Sequence, residues 1–272
     1  MEKRFTLQFQ IMTGLRLIKA YLRMNLQVIF AYRVNTAVDL IVSLMWLGFE
    51  LLSLSVIYSN TSTIGGWVPG DLIALLGMWK LMMALMFTML WPNTEQFNKS
   101  VRDGTLDYVF LLPADSQLVT SIQRVQVFQV HNLIQSLIMV PLGLSLAGRT
   151  AAINEMLMFL ILAVSGLLVI YSVWIVLISA VFWFTKFDNN ITLMQALTDS
   201  GRYPTTVYPV WLRFLVTFVI PIGLATTVPL QALRGELAPL QVVGFLGAGA
   251  VALLVSSAVW RAGTRRYAGA SA

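Results

Sequence analysis

The sequence has no cysteine, one histidine and few charges. Without cysteine there is no disulfide framework, no thiolate nucleophile and no sulfur-based metal site. His131 is followed by Asn132, which excludes a zinc-protease helix, and no suitable nucleophile elbow lies near it for a serine triad. A phosphate-binding loop is missing too: Lys99-Ser100 is the nearest pair, but Asn93 and Asn98 stand where glycines are needed. The acids of the apolar stretches, Asp39 and Glu50, fall in one stretch, so an aspartyl dyad built from two helices is not suggested. The chain is therefore not expected to be an enzyme, or to hold a metal or cofactor of its own. Charged residues make up 11% of the 272, against about 25% in an average soluble domain. So few charges cannot cover the surface of a soluble domain this long. An ordinary cytosolic enzyme, a disordered chain and a low-complexity repeat are all excluded.

What is present is apolar: 58% of the residues. A membrane-spanning helix needs about 20 predominantly apolar residues. Six stretches qualify, at 36–58, 71–91, 125–147, 156–184, 212–228 and 240–260. The net charge of +6 is distributed unevenly between the connections. Fifteen of the 18 Lys and Arg fall on one side of a six-span topology, two (Arg149 and Arg234) on the other, and Lys80 within a span. The positive-inside rule then predicts both termini in the cytoplasm. The excess of basic charge reads as an orientation signal, and nucleic acid is not an expected partner. No cleavable signal peptide is expected, because Arg16, Lys19 and Arg23 interrupt the first apolar stretch. Residues 7–33 instead read as an amphipathic helix lying in the membrane interface. Ile11, Leu15, Ile18, Leu22, Leu26 and Ile29 form its apolar stripe, and Arg16, Lys19 and Arg23 its basic edge. The expected organisation is an interfacial helix over 1–35, a six-span domain over 36–260 and a cytoplasmic tail over 261–272.

Ionisable groups inside a bilayer are costly and often functional. Glu50 lies about eight residues from the outer end of the first span and Lys80 about ten from that of the second. At about 1.5 Å of rise per residue they reach similar depths, and a buried ion pair is expected. That pair is either a structural lock or a substrate or proton site. His131 has Gln129, Asn132 and Gln135 nearby, which favours helix–helix hydrogen bonding. Met82, Met86 and Met89 share a face of the second span; the spacing favours ordinary core or lipid contact, and they are also candidate cavity residues, since methionine adapts to varied apolar ligands. Gly244, Ala248 and Ala252 recur every four residues on the last span and are expected to pack within the subunit.

The connection at 93–123 is too polar to span a membrane and too apolar for a plain solvated loop. Gly104 breaks any preceding helix, Val109 to Leu112 make an apolar run, and Pro113 ends it. Asp103 and Asp107, four apart, are expected to share a helical face. A short helix with apolar knobs and acids fits a docking element for a soluble partner; an interfacial loop on the inner leaflet is the other reading.

At this loop the sequence resembles the ABC-2-type exporter permeases, especially the six-span members. The resemblance is carried by Arg102-Asp103-Gly104, Leu106-Asp107 and Leu111-Leu112-Pro113. It continues in Arg202-Tyr203-Pro204, Tyr208-Pro209, Trp211-Leu212-Arg213, Ile220-Pro221 and Pro229, and in the tail from Trp260-Arg261 to Gly269-Ala270. The resemblance implies an all-α membrane protein of six spans, with an N-terminal interfacial helix and a short re-entrant extracytoplasmic segment at 221–239, before the last span. It implies a permease working in a pair, identical or related, with separate ATPase subunits that bind ATP and Mg. Lys99, Arg102, Asp103, Gly104, Leu106, Asp107, Phe110, Leu111 and Pro113 would then form the coupling element for that ATPase. The expected activity is export of an amphiphilic or hydrophobic small molecule, lipid or peptide by alternating access, in a bacterial cytoplasmic membrane. The alternatives are an ion-coupled secondary transporter using Glu50, Lys80 or His131, and an accessory membrane subunit with no pathway of its own.

Overall fold

A computed structural model describes residues 27, 33–124, 126, 130–184, 190–219 and 221–267. The expected interfacial helix falls almost entirely outside them. Among the described residues the regular structure is helical, apart from one isolated bridge between Ile64 and Trp67.

The first helix, α1 (Arg33–Tyr58), is apolar on nearly every face and scarcely covered by the other described residues. The next rod is the central one. It comprises α2 (Pro69–Leu85), a π-turn over Met86–Leu90, and α3 (Trp91–Arg102). The sequence predicts that this span ends at Trp91, but the helix continues to Arg102. The residues of α3 are polar, which lowers the hydropathy, yet Asn93, Thr94, Phe97 and Asn98 are buried against protein. Pro92 has no N–H to give to Thr88 four residues earlier, and the wider π-turn sits immediately before it. The carbonyl of Thr88 accepts a bond from Gln126 N at 2.8 Å instead.

The connection after α3 carries two short helices, α4 (Asp107–Phe110) and α5 (Ser116–Ile122). Helix α6 (Val130–Leu146) follows and packs closely on α2. A Cβ at Gly70 would fall on the Ala147 backbone, and one at Gly143 on the Ala74 amide, so glycine sets this helix separation. Its 17 residues make it shorter than the span predicted at 125–147. Helix α7 (Ile153–Ser179) is the cleanest apolar rod, begun by Glu155, whose carboxylate accepts the Ala152 N–H at 2.7 Å.

After α8 (Asn190–Asp199) comes the largest departure from expectation. The span predicted at 212–228 is not one rod. Helix α9 (Val210–Phe214) with its π-turn, and α10 (Ile222–Leu233), meet at 88°. Pro221 stands at the break. The bend therefore precedes the segment expected to be re-entrant, which is itself helical as far as Leu233. Helix α10 is buried along most of its length, so its polar backbone ends lie in protein, the condition for broken helices at membrane depth.

The last helix, α11 (Pro239–Thr264), packs on α7 through Gly249, where a Cβ would meet Ser165 Oγ at 2.5 Å. The stripe expected to pack, Gly244 with Ala248, is exposed instead, and a Cβ on Gly244 would meet no atom within 4 Å. Among the described residues, four helices are long and apolar enough to cross a membrane, five if the bent pair counts as one, and α6 is a shorter apolar helix. The chain is a multi-pass helical membrane protein.

Candidate functional site

On α1, Asp39, Ser43, Trp46 and Glu50 stand at i, i+4, i+7 and i+11, a spacing that puts them on one face. This polar stripe lines a cavity of about 500 Å³. Trp79, Lys80 and Met83 line it from α2, Phe87 from the π-turn that follows, and His131 and Asn132 from α6. Gln195 and Asp199 of α8 close it, with Arg202 just beyond. The volume suits one small-molecule ligand.

Lys80 Nζ lies 2.9 Å from Glu50 Oε2, with side-chain exposures of 5% and 15%. The similar depths of the two residues thus become a contact. A buried pair of this kind is no large source of stability, because desolvation offsets the attraction. Removing one partner is another matter, since it strands the other charge. A second pair flanks the first: Arg202 Nη2 lies 3.5 Å from Asp199 Oδ1. The Arg202 guanidinium also stacks on Trp79, 4.2 Å from the ring centroid, while Trp79 Nε1 donates to the Thr198 carbonyl at 3.0 Å. Between α6 and α1, Gln135 Nε2 donates to Ser43 Oγ at 3.0 Å, the kind of interhelical bond expected near His131.

Met82 and Met86 do not line this cavity; both are buried in the core of the subunit, and Met89 packs against that core. Met83 faces the cavity instead. The methionine stripe is one helical face of α2, and the cavity opens on another. The wall met by a ligand is therefore mixed, polar and aromatic.

The loop at 93–123 begins where α3 ends. Gly104 takes φ +67°, a left-handed conformation that suits glycine, and Thr105 N reaches back to the Ser100 carbonyl at 2.9 Å. This turn separates Asp103, at the end of α3, from Asp107, at the start of α4, so the two acids do not share one helix. Leu106 and Val109 point inward and are buried. Tyr108 and Leu111 are 72% and 78% exposed, with Leu112 and Phe110 less so. Lys99, Arg102 and Pro113 are exposed as well. Asp115 caps α5 by accepting the Leu118 N–H at 2.9 Å.

An aromatic chain fastens this loop to the tail. Phe110 lies 5.8 Å from Tyr267, Tyr267 lies 6.1 Å from Phe182, and Phe182 lies 5.6 Å from Trp260. Trp260 Nε1 donates to Ser116 Oγ at 3.1 Å. Burial and the nearby charge of Asp107 push the Tyr267 phenol above its ordinary pKa.

Sequence reasoning missed two polar centres. Asn93, 1% exposed, joins α3 to the far end of the loop. Its amide donates to Ser121 O at 2.9 Å and Arg124 O at 2.8 Å, as well as to Met89 O, and its carbonyl accepts Arg124 N at 2.8 Å. At the opposite end of the bundle, fully buried Asp71 accepts from Arg149 Nε at 2.9 Å and Nη2 at 3.1 Å. Arg234 Nε approaches the same carboxylate at 3.6 Å, and its Nη2 reaches Glu236 at 2.7 Å. Its guanidinium covers the Trp67 ring at 4.0 Å. Arg149 and Arg234 are the two cations that the charge count separated from the rest.

Among the described residues, no group of three or more His, Cys, Asp or Glu side chains is placed to hold a metal ion. Searches of curated proteins and of solved structures found no match. A family model does match: the one described as ABC-2 family transporter protein, over residues 44–271. That span takes in the loop and the cavity residues from Trp46 onward but not Asp39 and Ser43, which precede it, and the chain belongs to the ABC-2 transporter family.

Proposed function

From this membership, we propose that the chain is the permease of an ATP-driven exporter, carrying an amphiphilic substrate through the cavity between α1, α2, α6 and α8. The family makes it a membrane transport component associated with an ABC ATPase. The observation that carries the finer reading is the division of the 93–123 loop into two faces. Leu106 and Val109 anchor it to the bundle, while Tyr108, Leu111 and Leu112 stand out in solvent. An apolar surface on a rigid anchor is what a soluble ATPase would grip. Asn93 ties that anchor to the central rod, whose middle stretch, from Trp79 to Phe87, lines the cavity. Nucleotide-driven movement of the ATPase would pull the loop, and the loop would move the cavity wall between two arrangements. Two copies, or this chain and a related permease, would enclose the pathway, in a bacterial cytoplasmic membrane with both termini inside. ATP and Mg would bind to the ATPase alone.

The test is copurification of an ATPase with the full chain, followed by loss of that association on Tyr108→Asp, Leu111→Asp and Leu112→Asp together. An unchanged complex with unchanged ATP hydrolysis would remove the loop as the coupler. One observation favours a second reading, an ion-coupled secondary transporter: Glu50, Lys80 and His131 all line the cavity. Transport driven by a pH gradient without nucleotide would establish that alternative.

A further inference from the structure

Among the described residues, the charges that line the cavity do not balance. Of those residues three are carboxylates, Asp39, Glu50 and Asp199, against two fixed cations, Lys80 and Arg202, and the imidazole of His131. Each cation has a carboxylate of its own, Glu50 at 2.9 Å and Asp199 at 3.5 Å. No described residue forms an ion pair or hydrogen bond with Asp39. Asp39 nevertheless belongs to the helix α1, on the cavity-facing stripe and within a segment apolar enough to span the membrane. A charge there is costly until something neutralises it.

Its neighbours indicate what that something is. Trp46 lies seven residues along the same face, about 10.5 Å away at 1.5 Å per residue. It is 64% exposed, and its ring meets only the edge of Phe49, at 6.2 Å, among the described aromatic contacts. The cavity already shows how it handles a planar cation: Arg202 lies against Trp79 with Asp199 beside it. A carboxylate and an exposed indole on one helix face repeat those ingredients without the cation. Aromatic faces attract organic cations and bury their apolar bodies at the same time. An anion would meet a surplus of negative charge, and a neutral ligand would leave Asp39 unpaired. We infer that the cavity takes an amphiphilic organic cation, with its charge toward Asp39 and its apolar body against Trp46. This inference rests on the reading of the cavity as the substrate pathway, and it makes Asp39 the residue that selects charge.

The experiment uses the full chain with its ATPase in nanodiscs, and two probes of one shape and opposite sign, tetraphenylphosphonium and tetraphenylborate. The phosphonium is expected to bind at least about tenfold more tightly, a difference of about 1.4 kcal/mol. Asp39→Asn is expected to remove that preference, Asp39→Glu to keep it, and Trp46→Ala to weaken phosphonium binding about threefold. Elution of each variant as the intact complex separates these losses from misfolding. Equal or tighter binding of tetraphenylborate, or full phosphonium affinity in Asp39→Asn, would overturn the inference. Displacement of bound phosphonium by a short-chain phosphatidylcholine identifies a lipid headgroup as the source of the cation. No displacement identifies a free molecule, and a cation site stands in either case. The two readings fail separately. ATP-driven transport without phosphonium binding removes the cation and leaves the permease. Asp39-dependent binding without nucleotide-driven release leaves the cation site and removes the pathway.

Discussion

The two ends of the bundle solve the same electrostatic problem in opposite ways. At one end Asp71 is fully buried among charges from other connections, Arg149 after α6 and Arg234 after α10. The other end holds the cavity, where Glu50 and Lys80 meet at the wall of an open space and Asp39 is left over. The first arrangement ties two connections to one fully buried carboxylate at the start of α2. The second leaves a ligand-sized void beside charges only partly matched. Sealed polarity holds the fold, and open polarity is available for work.

The most severe way to break this contrast is at Asp71. Asp71→Leu removes the buried carboxylate that Arg149 and Arg234 share and leaves both with Glu236 alone, which is 40% exposed. A loss of up to about 3–5 kcal/mol is expected, because the buried Arg234 keeps only this partly exposed partner. Thermal unfolding in detergent, or the yield of folded protein, reads it directly. At the cavity, Glu50→Gln or Lys80→Met alone is expected to cost less, about 1–3 kcal/mol, since water in the cavity can reach the remaining charge. The double variant is expected to be at least about 1 kcal/mol better than the sum of the two. Strictly additive losses would mean the pair contributes no coupling, and the contrast between the two ends would fail.

The loop sharpens the comparison with a smaller effect on stability. Tyr108→Asp and Leu111→Asp are exposed changes and are expected to move stability by no more than about 0.5 kcal/mol. Their effect should appear in ATPase association alone. Leu106→Asp, only two and five residues away, places a charge at a position 1% exposed and is expected to unfold the loop itself. Limited proteolysis at 103–115 distinguishes the two outcomes. Equal behaviour of all three would show that the loop has no inner and outer face.

Much of this was legible in the sequence, and the limits follow from physical range. Helix identity came from hydropathy, and the Glu50–Lys80 contact from counting rise along two neighbouring spans. The α1 stripe was legible too: the spacing of Asp39, Ser43, Trp46 and Glu50 is a property of the sequence, although Asp39 enters that reading only through the missing dyad. Asn93 and Asp71 were beyond reach. Their partners lie 28 to 31 and 78 residues away along the chain, and an isolated Asn or Asp gives no sign of them. Hydropathy also measures the medium rather than the helix. It ended the second span at Trp91 because α3 faces protein instead of lipid, and it ran α9 and α10 together because apolarity carries no direction. Only Pro221 marked the turn between them.

The gentlest probe of the loop end is the phenol of Tyr267. Burial, and after it the charge of Asp107, raises its pKa. The neutral phenol is therefore favoured in the docked tail. In a tail released from the loop, the phenol would titrate near the ordinary value of about 10. The sign follows from linkage. Below that value both forms keep the proton, and docking does not depend on pH. Above it the released tail loses its proton first, so docking weakens as pH rises toward and through the raised value. Subtracting the phenolate absorbance of Tyr267→Phe from that of the unaltered chain isolates this one group among the eight tyrosines. Asp107→Asn should bring the titration part of the way back, not the whole way, because burial is the larger cause. A complete return would assign the shift to Asp107 alone. No return would mean that Asp107 does not act on the phenol, and that the tail is not seated against the start of α4.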